Sequence, residues 1–420
     1  MHFFIYKNND FYCEKVKVEK LTEEFGTPLY IYSAKTIRGH FDKIKKAFAS
    51  INPLICYSVK ANSNLSIIKL LIRRGAGLDI VSGGELYRAK KAGCPPAKIV
   101  YASVGKTDSE IESAIDYGIL MFNVESCPEL ERINAVAASM RKKVNISLRI
   151  NPDIEPSTHA YIATGRKNTK FGMDVRSAAK VLSQRDRYTY LNIAGVHLHI
   201  GSQIVKASPF VKAIRKINVF LSGIEKKGIL LEYLNIGGGL GIVYDKERPQ
   251  TAAMFSKKVL PLLKERKLKI ILEPGRFIIG NAGILATKVL YVKKSFNKNF
   301  IIVDGAMNDL LRPSLYGAYH KIIPLVCSSG GGSRRKIKAD VVGPVCESGD
   351  FLGKDRALTV KNGDYLAVLG AGAYGFSMSS NYNSRRRPAE VLVDGSDYYL
   401  IRQRDDYKDL THNEKTVDIR

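Results

Sequence analysis

The chain has 420 residues, 45% of them hydrophobic, and 66 basic against 40 acidic residues give a formal net charge of +26. That length supports two domains with substantial cores, and no run of eighteen apolar residues offers a membrane-spanning helix. The charge would attract nucleic acid non-specifically, yet the densest basic clusters (residues 333–338 and 384–387) are short and no zinc-finger, recognition-helix or aromatic RNA-binding signature accompanies them. The expectation is a solvated lysine-rich surface with no specific nucleic-acid partner and no membrane partner. Six scattered cysteines form no disulfide framework and no paired metal-ligand spacing. The N-terminal "MHFFIYKNNDFYCEKVKVEK" lacks the plan of a secretory leader. A cytoplasmic location is expected.

From about residue 30 to 280, short β-branched runs alternate with amphipathic helical stretches. The runs are "LICYSVKAN", "GLDIVSGGEL", "KIVYASVGK", "LMFNVES", "NISLRINP", "IAGVHLHIGS", "YLNIGGGLG" and "KIILEPGR". Eight strand–helix units predict a closed (β/α)8 barrel of the TIM type over 30–280, with its chemistry at the C-terminal ends of the strands. Those ends carry Lys60, Asp79 with Ser82, Arg149, His199 with Ser202, the glycines Gly237, Gly238 and Gly239, and Glu273 with Gly275 and Arg276.

Lys60 would end the first strand inside the barrel mouth. An isolated ammonium is costly to desolvate, and a partly buried lysine loses its proton readily and attacks carbonyl carbon, which makes it a Schiff-base candidate. Three consecutive glycines at a strand end let backbone amides approach an oxyanion. In "EPGR", Arg276 suits phosphate or carboxylate and Glu273 could hold a protonated ring nitrogen. In "HLHIGSQ", His197 and His199 alternate and so share a strand face. A metal pair is one reading, set lower because no matching third ligand is evident; an imidazole stacked on a cofactor ring, with Ser202 donating to phosphate, explains His199 equally well. Together these features outline a site for a phosphorylated cofactor with a basic ring atom.

Beyond about residue 280 the pattern is all-β, from "ATKVLYVKKS" to "DYYLIRQRD", predicting a β-sandwich or β-barrel domain over 281–420 that the N-terminal residues 1–29 join. "SSGGGSRRKIK" (328–338) reads as an exposed hairpin loop. "GPVCESGD" (343–350) sets a thiol beside a carboxylate, Cys346 and Glu347, far in sequence from every other candidate.

In this order along nearly the whole chain, "YSVKAN", "DIVSGGEL", "HLHIGSQ", "GGGLG", "EPGR", "MNDLLRPSLYGAYH", "GPVCESGD" and "GAGAYGFSMSSNYNSRRRPAEVL" resemble the diaminopimelate decarboxylases, fold-type III enzymes with the alanine-racemase-like fold that depend on pyridoxal 5'-phosphate. The resemblance implies that Lys60 carries the cofactor as a Schiff base, His199 stacks on its ring and Glu273 pairs with the ring nitrogen. Ser202, the glycines 237–239, Arg276 and Tyr374 would surround the phosphate or its neighbourhood, with Asp79 and Gly275 in the same cofactor site. Arg312, Tyr316 and Arg276 would take the substrate's distal carboxylate, near Tyr374. Cys346 would donate a proton and Glu347 would read the distal ammonium, both entering the site from the partner subunit of a homodimer. The implied reaction is decarboxylation of meso-2,6-diaminopimelate to L-lysine, the last step of lysine biosynthesis.

The ornithine- and arginine-type decarboxylases of the same fold are the alternative. They tend to carry aspartate after the cysteine, and their substrates have no distal carboxylate for Arg312. A non-catalytic cofactor-binding or nucleic-acid-binding protein stands third. Three places depart from the family pattern: Arg166, where leucine is usual, Arg386, where proline is common, and "EPGRFIIGNAG", bulkier after its arginine than in many relatives.

Overall fold

The computed structural model describes residues 2–155, 164–165, 169–327 and 336–419. Arg166 and residues 328–335 of the expected hairpin lie outside the described residues. The chain divides into two compact units, Arg38–Val243 with Glu247–Ile278, and Met1–Ile37 with Tyr244–Lys246 and Ile279–Arg420.

The second of these opens with three short strands, β1 (Phe4–Lys7), β2 (Asp10–Cys13) and β3 (Val16–Lys17), which form an antiparallel three-stranded sheet. Next comes β4 (Leu29–Ser33), a strand the sequence reading did not separate from the first barrel unit. All five of its residues are buried and a helix, Ala34–Ala47, follows, so locally it mimics a strand–helix unit of the barrel. Its hydrogen bonds go elsewhere: antiparallel to residues 283–286 and parallel to residues 389–393.

Eight parallel strands build the other unit. They are β5 (Leu54–Ser58), β6 (Gly77–Ile80), β7 (Ile99–Ala102), β8 (Met121–Val124), β9 (Val144–Arg149), β10 (Leu191–His197), β11 (Tyr233–Asn235) and β12 (Lys269–Leu272). They close in the order of the chain, β12 pairing with β5 through Leu272 and Ile55, which gives the expected (β/α)8 barrel. The loops entering the helices end in side-chain caps. Asn64, Ser82, Thr107, Ser126, Asp174 and Thr251 each accept from a backbone amide of the first turn, satisfying donors that a helix start leaves open. Glu85, Glu110 and Glu129, three residues after their caps, reach back to backbone amides of the preceding loops, so the mouth is held by its own helix starts.

Period-two alternation sorts the barrel interior into layers. Cys56, Val100, Met121 and Ile271 make a buried apolar cluster. Two residues further along their strands stand Ser58, Ala102, Asn123 and Glu273; Asp79 is in register with Ser58, Ser147 with Asn123, and His197 with Asn235. Seven of these eight are polar, and each of those seven is at most 3% exposed. A layer of that composition deep in a barrel has to satisfy itself by hydrogen bonds.

The last strands are β13 (Gly283–Ser295), β14 (Lys298–Val303), β15 (Ile322–Pro324), β16 (Ile337–Val342), β17 (Phe351–Leu358), β18 (Tyr365–Val368), β19 (Ala389–Asp394) and β20 (Asp397–Arg402). With β4 they form a nine-stranded mixed sheet whose long member, β13, pairs with β4, β18 and β14 along its length. A core of Phe4, Phe11, Leu21, Ile31, Ile284, Leu325 and Val391 ties the N-terminal strands to this sheet, as does the hydrogen bond from the Phe11 amide to the Leu325 carbonyl. A parallel eight-stranded barrel with a mixed β domain is the fold-type III, alanine-racemase-like architecture. No helix among the described residues is long and apolar enough to cross a membrane.

Candidate active site

The barrel mouth gathers the expected cofactor residues. Lys60 stands in the turn Val59–Ala61 just past β5, and its Nζ lies 3.0 Å from Asp79 Oδ2. The same Asp79 oxygen accepts from Ser58 Oγ, while Oδ1, fully buried, has no hydrogen-bond partner among the described residues. Loss of solvent and then the charge of Glu273 raise the Asp79 carboxyl, against the pull of Lys60. Ser82 caps the helix Gly83–Lys91. Beside it, burial pushes the Glu85 carboxyl up to about 7, opposed by the Lys60 charge.

Glu273 follows β12 and is 3% exposed. Its Oε1 accepts from Asn123 Nδ2 at 3.1 Å and from Asn235 Nδ2 at 2.6 Å, and its Oε2 lies 3.2 Å from His197 Nε2. His197 Nδ1 is buried without a partner among the described residues, so the ring proton belongs on Nε2, donating to the carboxylate. Burial alone would raise the Glu273 pKa. His197 and then Lys60 reverse it and hold the group well below the usual carboxylate range. Two neighbouring carboxyls are thus driven apart, Asp79 up and Glu273 down, and the barrel axis presents a persistent anion.

His197 and His199 do not act as a pair. His199 lies past the end of β10, and its Nδ1 accepts from the Gly238 amide at 3.3 Å. Loss of solvent, followed by the charges of Arg149 and Lys60, keeps its pKa well below the ordinary histidine value, leaving a neutral, flat ring. Among the described residues no group of three potential ligands is placed to hold a metal.

The glycine run has a steric reason that the sequence reading did not contain. A Cβ on Gly237 would lie 2.3 Å from Leu198 O, one on Gly238 2.0 Å from Glu273 O, and one on Gly239 2.3 Å from Gly201 O. Gly237 and Gly239 also have φ of +67° and +106°. These glycines let three strand ends meet, and that contact leaves the cradle with no side chains of its own. Gly275 likewise faces Ser58 and Ala61 on either side of Lys60, at 2.9 and 3.1 Å from an added Cβ. Arg276, 6% exposed, turns Nε and Nη2 onto Ser202 Oγ at 3.2 and 3.0 Å. Arg149 is paired with Glu125 Oε1 at 2.6 Å. A lysine, a depressed carboxylate, a neutral imidazole, an orphaned Asp79 oxygen and a glycine cradle beside Arg276 and Ser202 fit pyridoxal phosphate.

The β unit holds the remaining candidates. Arg312 opens the helix Arg312–Tyr316, is 6% exposed, and is braced from two sides. Its Nη1 donates to His320 Nε2 at 2.7 Å, and its guanidinium lies 4.5 Å from the Tyr244 ring centre. His320 Nδ1 donates to Leu369 O at 2.9 Å, which fixes the tautomer that accepts from Arg312. Tyr316 ends the same helix, half-buried. Tyr374 has φ of +56°, rare for a bulky residue, so surrounding structure holds its backbone in place. Cys346 and Glu347 are both exposed. Their loop is stapled by the buried Asp350, which accepts from Val345 N (2.8 Å) and Met307 N (2.7 Å). Arg386, exposed, lies against the Tyr407 ring.

Sequence reasoning missed Asn123, Asn235, Tyr244 and His320. The asparagines had a signal, polar residues inside the apolar runs "LMFNV" and "YLNI"; His320 stands inside the motif "MNDLLRPSLYGAYH" without a role read for it, and Tyr244 had no signal stronger than proximity to "GGGLG".

The barrel and its site define a pyridoxal-phosphate decarboxylase. The family described as "Pyridoxal-dependent decarboxylase, pyridoxal binding domain" matches residues 34–280. More narrowly, the chain belongs to the diaminopimelate decarboxylase family. It is 51% identical to the diaminopimelate decarboxylase of Aquifex aeolicus over 99% of this chain and 97% of that protein. Among solved structures, the Helicobacter pylori diaminopimelate decarboxylase complexed with L-lysine is 42% identical with a TM-score of 0.90, covering 95% of this chain and 99% of that one. The M. jannaschii enzyme in co-complex with L-lysine is 38% identical with a TM-score of 0.93, covering 99% of this chain and 98% of that one.

Proposed function

We propose that this protein decarboxylates meso-2,6-diaminopimelate to L-lysine and carbon dioxide with pyridoxal phosphate, as the last step of lysine biosynthesis in the cytoplasm. The observation that carries the choice of substrate is Arg312, a cation braced by His320 and Tyr244 inside a unit that also bears Glu347. A substrate with both a carboxylate and an ammonium at its far end answers to both charges, whereas ornithine or arginine leaves Arg312 without a target. L-lysine, the ligand named for the two solved relatives, is the product this reaction requires.

When bound, pyridoxal phosphate supplies the electron sink for the bond to the departing carboxyl group. The chain's residues do the rest. Lys60 is the amine that would hold the cofactor, in the place the substrate amine would take. Glu273, kept ionised by three donors, holds a proton on the ring nitrogen by opposite-charge pairing. His199 offers a neutral face for stacking, with Asp79 and Gly275 beside Lys60. Ser202, Arg276, the glycines 237–239 and Tyr374 receive the phosphate or its surroundings. Arg312, Tyr316 and Arg276 take the distal carboxylate, and Glu347 takes the distal ammonium. Cys346 donates the proton that replaces the carboxyl group.

The exposure of Cys346 and Glu347 on a single chain supports a homodimer in which each copy completes its partner's site. The test is a side-by-side carbon dioxide release assay with meso-diaminopimelate, ornithine, arginine and lysine on the yellow, cofactor-loaded protein. Preference for any of the last three would overturn the assignment.

A further inference from the structure

The stretch "SNYNSRRRP" lies next to the catalytic motifs without a role in the scheme above. Tyr382 donates its hydroxyl to Glu347 Oε2 at 2.7 Å. The next residue, Asn383, accepts the Cys346 amide on its Oδ1 at 2.9 Å. Two consecutive residues thus grip the two consecutive residues of the thiol–carboxylate pair, one by its side chain and the other by its backbone. The grip has a cost in backbone conformation. Asn383 and Ser384 adopt φ of +55° and +52°, a left-handed pair that asparagine tolerates and serine rarely enters. It is also anchored from behind. Asn381 Nδ2 donates to Arg385 O at 2.9 Å, Arg385 Nε donates to Asn308 Oδ1 at 3.0 Å, and Arg387 is paired with the buried Asp405 at 2.8 Å.

We propose that Tyr382 and Asn383 are positioning residues for the Cys346–Glu347 pair, and that Tyr382 sets selectivity for a ligand bearing a distal ammonium. This rests on the function proposed above. An exposed glutamate samples many rotamers, and each is lost on binding at an entropic cost. A phenol holding Oε2 fixes the carboxylate plane in advance and directs Oε1 to the ligand. The same contact raises the phenol's pKa, so it remains a donor throughout the working range. Asn383 acts on the other half of the pair, fixing the backbone from which the thiol projects.

The experiment uses cofactor-loaded Tyr382→Phe, with meso-diaminopimelate as substrate and 2-aminopimelate, which lacks only the distal ammonium, as competitive inhibitor. Unchanged circular dichroism and melting temperature establish the fold. The expected result is a KM for meso-diaminopimelate raised about three- to ten-fold, by more than kcat falls, with the inhibition constant of 2-aminopimelate unmoved. An unchanged KM, or equal rises in both constants, would overturn the proposal. For Asn383, replacement by Gly keeps the left-handed backbone but removes the acceptor, and should lower kcat with little change in KM. Asn383→Asp keeps the acceptor and should restore kcat; failure of that rescue counts against the brace. Absence of turnover of meso-diaminopimelate by the unmodified chain overturns the functional reading itself, and is distinguished because it needs no variant.

Discussion

Replacing Asn235 by alanine tests the polar layer that holds Glu273. The substitution removes the shorter of the two amide donors to Oε1, at 2.6 Å, and leaves the Gly237 amide without the Asn235 Oδ1 it donates to at 2.9 Å. Both groups are buried, Asn235 at 0% and Glu273 at 3% exposure, so water does not readily substitute. A hydrogen bond to a charged group contributes about 1.5–3 kcal/mol and an orphaned buried amide costs about 1 kcal/mol or more, so a loss on the order of 3 kcal/mol is expected at neutral pH. The sign of its pH dependence follows from the depressed Glu273 pKa. A depressed carboxyl contributes stability that is present above its unfolded pKa and is lost as pH falls through the folded one. Removing a donor raises the folded pKa, so the variant takes up its proton first. The gap between parent and variant should therefore be widest at neutral pH and narrow as the medium is acidified. Urea unfolding of the cofactor-free protein, followed from about pH 7 down to about pH 2 so that the scan passes through the variant's folded pKa, measures this directly. A gap that is the same at every pH, or a loss below about 0.5 kcal/mol, would refute an ionised Glu273 held by these donors.

Gly238→Ala places a methyl group 2.0 Å from Glu273 O and should cost several kcal/mol and weaken binding of pyridoxal phosphate, read by melting temperature and by cofactor titration. Gly223→Ala, inside the helix Ser208–Glu225 with nothing within 4 Å, is the control and should be neutral or more stable by about 0.5–1 kcal/mol. Arg312→Lys removes the planar fork and its contact with Tyr244, and should raise KM for meso-diaminopimelate roughly ten-fold or more; an unchanged KM would mean that Arg312 does not meet the substrate. Lys60→Ala and Cys346→Ala proteins should each be inactive alone, yet co-expressed they should recover activity in mixed dimers. No recovery, with mixed dimers confirmed, would mean that the thiol serves its own chain.

Much of the site was legible in one dimension. Strand ends "YSVK", "HLH" and "ILEPGR" carry Lys60, His199, Glu273 and Arg276 because a barrel strand exposes its chemistry where it stops. Strand alternation likewise sets Asp79 on the face of Gly77, whatever the rest of the chain does. What could not be read was which side chain would answer which. Asn123, His197 and Asn235 lie 150, 76 and 38 residues from Glu273, and only closure of the barrel brings all three to one carboxylate. The same holds for β4, whose local pattern of a buried strand before a helix fits either unit, and whose place between β13 and β19 is a matter of long-range pairing. "GPVCESGD" shows both halves together. Its glycines and its Asp350 prescribe a tight loop, while the hydrogen bonds from Tyr382 and to Asn383 that orient Cys346 and Glu347 exist only once distant strands have set the two loops side by side. Local periodicity decides the face a residue is on; the partners it meets there are decided by contacts between segments far apart in the chain, and those carry no local signature.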